Sequence, residues 1–436
     1  MAQHRLASGG VVDRSRDIAF TFDGKSLWGH PGDTLASALV ANGVKLVGRS
    51  FKYHRPRGLL TAGPEEPNAL VELRTTARRE PNSKATSVEL FEGLAAKSQN
   101  RWPSLALDLM AVNQLAAPMF TAGFYYKTFM WPAAFWEKLY EPMIRRAAGL
   151  GRAAEAADPD EYEKATAHCD VLVIGSGPAG LAAALSAGRT GARVILAEED
   201  FALGGRLLSE RVAVDGEPAA AWAAKAEAEL AALPEVTILR RTAVFGVYDG
   251  GTYGAIEKVA DHLAVPAPHQ PRQRYWRIVA KRAVLAAGAI ERPIPFGNND
   301  RPGVMLAGAV RTYLNRFAAA PGERAVVYAN NDDAARTVRD LVAAGCEVAA
   351  VVDARGEATA LHAAAREAGA TLVFGGAVLR AEGAREVKSC EIATAAGSAF
   401  DVPCDLIAVS GGWNPSVQLA SHHGARPRWD ERLPPL

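Results

Sequence analysis

The sequence predicts an α/β fold in which two Rossmann-like units follow a small β-grasp module. Three observations carry this. Residues 170–198 read as strand, glycine-rich turn, helix, strand and acid. Residues 325–353 repeat that order without the glycines. Residues 16 to about 75 read as a hairpin, a capped helix and a returning strand.

In the first module, Ile18-Ala-Phe-Thr-Phe22 alternates as a half-buried strand does, and Asp23-Gly24 is a turn dipeptide. Gly32-Asp33-Thr34 fits the cap of a helix from Leu35 to Asn42, stopped by Gly43. Val44 to Val47 and Leu70 to Leu73 are expected as further strands, and the module is expected to span 16–80. Residues 85–168 are expected to form an aromatic helical connector and linker. They carry Trp102, Phe120, Phe124, Tyr125, Tyr126, Phe129, Trp131, Phe135, Trp136 and Tyr140. Such a stretch suits either a docking surface for another subunit or a connector buried against the chain's own domains.

The first Rossmann-like unit holds the richest signal. Val171 to Ile174 reads as a buried parallel strand, followed by Gly175-Ser176-Gly177-Pro178-Ala179-Gly180 and an alanine-rich helix. A second strand, Ala192 to Ala197, ends on Glu198. In this context the glycines have separate tasks. Gly175 permits the tight turn, Gly177 lets backbone approach a pyrophosphate, and Gly180 allows helix to pack on strand. The helix start offers free N–H groups and a positive dipole to phosphates. Glu198 is placed to accept from ribose hydroxyls, with Glu199 as the alternative. A carboxylate there repels a 2′-phosphate, so NAD or FAD is favoured over NADP.

Residues 169–320 are expected to be the first part of this domain, including β-rich stretches at Val236 to Val247 and Tyr275 to Val284. Val284-Leu-Ala-Ala-Gly288 is a short strand ending on small residues, suited to lie beside a dinucleotide. The second unit, expected at 321–400, has Ala329, Asn331 and Ala334 at the fingerprint positions, with Asp332 and Asp333 beside them. Side chains and negative charge there oppose phosphate, so no tightly bound nucleotide is expected. Leu406 to Pro415 is expected to return to the first domain, with 401–436 a truncated return that lacks the closing strand and helix. The whole is a two-dinucleotide-domain fold of the FAD/NAD(P)-binding type.

Composition narrows the function. A formal net charge of +1 argues against general nucleic-acid binding. No apolar run reaches the ~18 residues of a membrane span, and Leu105 to Tyr126 is broken by Asp108, Asn113 and Gln114. The N-terminus has no apolar signal region. Cys169, Cys346, Cys390 and Cys404 are scattered without a CxxC, so neither zinc nor a redox pair is indicated and a cytoplasmic home is expected. His422 and His423 lack further ligands, so no metal site is expected. The basic run Arg49, Lys52, His54, Arg55 and Arg57 could hold a phosphate or an acidic partner, but a solvated loop is the favoured reading. No nucleophile, triad or carboxylate pair stands out, which fits a subunit whose substrate chemistry occurs in another chain.

Taken together, these residues resemble the α subunit of heterotetrameric sarcosine oxidases from about residue 18 onward. The most specific strings are Arg55-Pro-Arg-Gly58, Gly123-Phe-Tyr-Tyr-Lys-Thr-Phe129, Gly175 to Gly180, Ala287-Gly-Ala-Ile-Glu-Arg-Pro293, Asn299-Asp-Arg-Pro-Gly-Val-Met305 and Ser410-Gly-Gly-Trp-Asn-Pro415. The resemblance implies oxidation of sarcosine to glycine, with another N-methyl amine left open as the substrate. The methyl carbon leaves as formaldehyde or methylene-tetrahydrofolate, and oxygen becomes peroxide. It implies β, γ and δ partner subunits, FAD and the amine site in β, and FMN between α and β. NAD would lie in the α subunit on Gly175, Gly177 and Gly180, with Glu198 on ribose. Gly204, Gly205, Arg206 and Gly288 would line the remainder, although Gly204-Gly205 also suits a plain turn.

Two departures shape the expectation. The N-terminal module resembles a ferredoxin-like domain, yet no cysteine precedes Cys169. A [2Fe–2S] cluster takes four thiolates, so a cluster-less module is expected. The family's α subunit also continues into a folate-binding domain that resembles an aminomethyltransferase, so the chain is expected to be a fragment, a truncated product or a split subunit. Two other readings stay open: an FAD-dependent amine or opine oxidase or hydrogen-cyanide-synthase-like subunit, and a catalytically silent NAD-binding scaffold.

Overall fold

The computed structural model describes residues 4–121, 123, 127, 129–357, 359–422 and 424–428. The N-terminal module opens with a hairpin of β1 (Ile18–Phe22) and β2 (Lys25–Gly29), in register from Ile18↔Gly29 to Phe22↔Lys25. Ile18, Phe20 and Phe22 point inward against α1 (Leu35–Ala41), which is buried throughout. A capping box between Thr34 and Ser37 starts that helix by satisfying backbone N–H groups that lack helical partners. Then follow β3 (Leu70–Leu73), β4 (Glu80–Lys84) and β5 (Leu94–Ser98). The sheet runs β2-β1-β5-β3-β4, with β5 parallel to β1.

Two features differ from the sequence reading. Val44 to Val47 is not a strand. Val47 is buried, and a two-residue ladder pairs Gly48–Arg49 with Pro56–Arg57. The central strand β5 lies inside the stretch expected to be connector. Its inward residues Leu94, Ala96 and Ser98 are buried, but two of the three are small, and the alternation is therefore faint.

The connecting residues contain the turns Leu109–Gln114 and Ala117–Met119. A π-helical turn, Trp136–Tyr140, runs into α2 (Glu141–Ala148). Trp102 and Trp131 are exposed there, while Phe124, Tyr125 and Tyr126 lie outside the described residues.

The first dinucleotide domain is built on β6 (Tyr162–Ile174), α3 (Pro178–Gly188), β7 (Val194–Ala197), α4 (Ala219–Ala232) and β8 (Val236–Leu239). Strands β9 (Thr242–Tyr248) and β10 (Thr252–Glu257) lead into β11 (Gln273–Leu285). The six-stranded order is β8-β7-β6-β11-β10-β9. The long strands β6 and β11 run parallel from Tyr162↔Gln273 to Ile174↔Leu285, which brings both C-terminal ends to the same edge.

A short strand β12 (Ala289–Glu291) leaves that edge for the second domain. There the elements are β13 (Val304–Leu306), α5 (Ala307–Arg311), β14 (Arg324–Ala329), α6 (Ala334–Ala343), β15 (Glu347–Asp353), α7 (Ala360–Glu367) and β16 (Thr371–Phe374). A meander of β17 (Ala377–Glu382), β18 (Ser389–Ala393) and β19 (Ala399–Pro403) precedes β20 (Leu406–Ser410) and β21 (Trp413–Pro415). The five-stranded sheet runs β13-β20-β14-β15-β16. Leu406 to Ser410 therefore belongs to the second sheet and is not a strand of the first. Every residue of β20 is buried, and an apolar run of that kind fits the centre of either parallel sheet. The return to the first domain comes only at β21, which pairs with β12 from Ala289↔Pro415 to Glu291↔Trp413.

One core is shared by the N-terminal module and the second domain. It joins Phe20, Leu39 and Leu94 to Tyr313, Phe317 and Val327. At this seam the buried Glu66 carboxylate accepts from the backbone N–H groups of Leu60, Thr61, Asn68 and Ala69. Glu66→Ala leaves these donors without their acceptor. A loss of about 3 kcal/mol in unfolding free energy is expected, measurable as a lowered urea midpoint.

Candidate functional site

The glycine-rich turn is built by crowding from three directions. Gly175 has φ +95°, and a Cβ on it would lie 2.5 Å from the Ala286 carbonyl oxygen. A Cβ on Gly180 would lie 1.9 Å from the Gly175 oxygen. Only hydrogen fits at either place. Ala286, just past β11, donates its N–H to Ile174 O at 2.8 Å, which holds the two strand ends together.

The opposite side of the turn is open. A Cβ on Gly177 or Gly288 would meet nothing within 4 Å. Gly177 caps α3 without a side-chain partner, and Pro178 is at the first helical position, where its missing N–H costs nothing. The following N–H groups, at Ala179 and Gly180, belong to the first turn, which has no intrahelical acceptor. This cradle fits an anionic pyrophosphate.

Glu198 hangs over the same turn from the end of β7. Its Oε2 accepts from Ser176 N at 2.7 Å and Ser176 Oγ at 2.5 Å, and its Oε1 from Asp200 N at 2.9 Å. Burial pushes its carboxyl above the ordinary value, against the pull of these donors. Glu199 is exposed. Gly204 donates to Ser176 O at 3.1 Å, and a Cβ on Gly205 would lie 3.1 Å from Gly177 Cα. The Gly204-Gly205 pair therefore closes on the fingerprint turn. Arg206 points elsewhere. It bonds Glu210, approaches Asp333 at 3.4 Å and lies 3.9 Å over the Trp413 ring.

Sequence reasoning missed a buried polar cluster beside this site. Glu291 accepts from Ser410 Oγ at 2.7 Å and Gly308 N at 2.6 Å. Arg311, 1% exposed, pairs with Glu210 at 3.0 Å and also with Asp333. Glu291 and Ser410 each lie in a string quoted above for its specificity, which was the available signal. Burial pushes the Glu291 carboxyl up to about 7, with Ser410 and Gly308 partly offsetting it.

In the second domain, Asp353 occupies the strand end that matches Glu198. It is fully buried and binds Arg355 Nε at 3.0 Å and Nη2 at 2.9 Å. Arg355 also reaches Asp332 at 2.7 Å. The basic run near the N-terminus is not a solvated loop. Arg55 binds Asp300 through two nitrogens, Arg57 binds the same carboxylate, and the buried His54 lies 2.6 Å from Asp108. His423 lies outside the described residues, and no metal-binding group of three or more ligands occurs among those described. No helix among them is long and apolar enough to cross a membrane.

Residues 170–248, which contain the cradle, match the FAD dependent oxidoreductase family. Fold and site thus define a chain with a dinucleotide-binding domain of the oxidoreductase type. The chain is 53% identical over 98% of its length to "Sarcosine oxidase subunit alpha" of Rhizobium meliloti (strain 1021), covering 43% of that protein. It is 38% identical over 97% of its length to the protein of the same name from Corynebacterium sp. (strain P-1), covering 40% of it. The chain belongs to the sarcosine oxidase alpha-subunit family and spans less than half the length of these relatives. Among solved structures, L-proline dehydrogenase from P. horikoshii shares the fold, with a TM-score of 0.63 at 20% identity. That match covers 99% of this chain and 66% of the other.

Residues 15–101 match the 2Fe-2S iron-sulfur cluster binding domain family. This overturns the expectation of a cluster-less module and of no iron–sulfur group: the module is of the 2Fe–2S type. The expectation weighed missing thiolates alone, whereas the match rests on the whole pattern of the module. No cysteine lies within the matched residues, so they do not supply the thiolates that a [2Fe–2S] cluster takes.

The Glu291 carboxyl makes a pH-dependent contribution to stability. Its folded value of about 7 lies above its ordinary 4.5, so the folded chain holds the proton more tightly. This stabilisation is complete below pH 4.5 and is lost as pH rises through about 7. Wild type is expected to lose on the order of 3 kcal/mol relative to Glu291→Gln across that window, as read from urea unfolding at stepped pH.

Proposed function

We propose that this chain is the dinucleotide-holding alpha subunit, or part of it, of a sarcosine-oxidase-like complex. In this reading sarcosine, oxygen and water become glycine, formaldehyde and peroxide. Where folate is used, the methyl carbon passes to methylene-tetrahydrofolate instead. Amine oxidation takes place at FAD in a β partner, and FMN lies at the edge shared with that partner. The γ and δ subunits complete the assembly, in the cytoplasm. The observation that carries the reading is 53% identity over 98% of the chain to a sarcosine oxidase alpha subunit. The buried, free thiols of the four cysteines suit a reducing compartment.

The chain's own residues have defined tasks here. The first turn of α3 directs N–H groups at a pyrophosphate. Gly177 leaves room for it, and Glu198 exchanges its Ser176 bonds for ribose hydroxyls. NAD would supply no hydride in this site, where its task is structural. A specific observation favours a second occupant: the match of residues 170–248 to FAD-dependent oxidoreductases supports FAD in the same cradle.

Denaturing the purified chain and identifying released ligands by mass spectrometry distinguishes the two. NAD from a colourless chain supports the first reading; FAD from a yellow chain supports the second. Gly177→Val is expected to lose at least nine-tenths of the bound dinucleotide, because a side chain there enters the pyrophosphate space. Stoichiometric ligand in that variant would remove the cradle from this role.

A further inference from the structure

Two strings left unused by the dinucleotide site, Arg55 to Gly58 and Asn298 to Val304, meet across the seam between the N-terminal module and the second domain. Their contact is close: a Cβ on Gly58 would lie 2.8 Å from Pro302 Cα. Beside it is a cavity of ≈ 160 Å³ whose apolar lining includes Leu60, Ile294, Phe296, Val304 and Val409 and whose polar lining is Arg57, Asn68, Asn299 and Asp300. An apolar protein cavity of about 150 Å³ accepts a benzene-sized body.

The charge at the margin does not balance. Arg55 binds Asp300 through Nε at 2.6 Å and Nη2 at 2.7 Å, and Arg57 joins the same carboxylate through Nη1. Burial opposes the charge on Asp300, but these bonds outweigh it and hold the carboxyl at about 2. Two guanidinium groups on one ionised carboxylate leave one positive charge in excess. Arg57 uses only Nη1 in its hydrogen bonds among the described residues, so its Nε and Nη2 remain as donors.

We propose that this cavity is a binding site for a small monocarboxylate with a compact apolar body of about ring size. The body lies against Ile294, Phe296 and Val304, and the carboxylate takes the spare donors of Arg57. The site is separate from the dinucleotide cradle and stands whichever cofactor that cradle holds. Sulfate-like anions without an apolar body would leave the walls unfilled, and neutral ligands would forgo the charge.

Benzoate is the probe and benzyl alcohol its neutral counterpart, titrated into the full chain labelled at Ile, Leu and Val methyl groups. Benzoate is expected to shift the Leu60, Ile294, Val304 and Val409 methyl resonances saturably, with benzyl alcohol about tenfold weaker. Val304→Phe fills the cavity and is expected to abolish the shifts. Ile294→Phe, at a half-buried position, repeats that test with less disturbance of the core. Arg57→Gln is expected to remove most of benzoate's advantage over the alcohol. Shifts confined to other methyl groups, equal binding of both probes, or unchanged binding in both filling variants would each overturn the proposal.

Discussion

The structure depends on one steric constraint: strand β6, the start of helix α3 and the residues after β11 meet with no room for a carbon atom between them. The 1.9 Å separation between a Cβ on Gly180 and the Gly175 oxygen states this most directly. Because backbone meets backbone, no side-chain rearrangement can relieve an added methyl group. The contact fixes where the helix starts, and so fixes where its free N–H groups point. It also explains why the first turn of α3 can face a ligand while its flank is sealed. Glu198 and the Gly204-Gly205 pair then take their places from this turn, through Ser176.

Around that point, the domains are joined by buried charges. Arg311, Glu210 and Asp333 bring α5, the segment after Gly205 and the start of α6 into one cluster. Arg206 couples the same cluster to Trp413 on β21. The former fingerprint loop of the second domain thus has a mechanical task. Its acids hold arginines from neighbouring elements, and Asp353 is occupied by Arg355. Such pairs contribute little net stability when compared with apolar packing, but removing one partner strands a buried charge. Their benefit is fixed register between two domains that could otherwise slide.

What the sequence made legible follows from the range of each signal. The turn at Gly175 to Gly180, the helix after it and the acid at Glu198 were readable because their geometry is set by neighbours in sequence. Helix α1 was readable through its Thr34 cap for the same reason. Strand β5 was not, since Ala96 and Ser98 carry little hydrophobic contrast. The sheet membership of Leu406 to Ser410 was not either, because a strand buried on both faces has no label for its partner. The direction of Arg206 depends on Glu210, Asp333 and Trp413 together, and only the folded chain brings these three to one place. The basic run was legible as charge; its acceptor, Asp300, lies far along the chain. The ferredoxin-like type of the N-terminal module was legible in its residue pattern, and only the expectation of a cluster-less module, drawn from cysteine alone, was overturned.

The core shared by Phe20, Leu39 and Tyr313 has a consequence for how the chain comes apart. The N-terminal module and the second nucleotide domain bury the same surface, whereas the first nucleotide domain has clusters of its own around Leu181 and Ile278. The boundaries of cooperative unfolding therefore do not follow the order of domains along the chain. Sequence neighbours are then expected to melt separately, and two segments some three hundred residues apart to melt as one unit. Cutting the module from the rest would expose an apolar face on both products, so neither piece would keep the solubility of the whole.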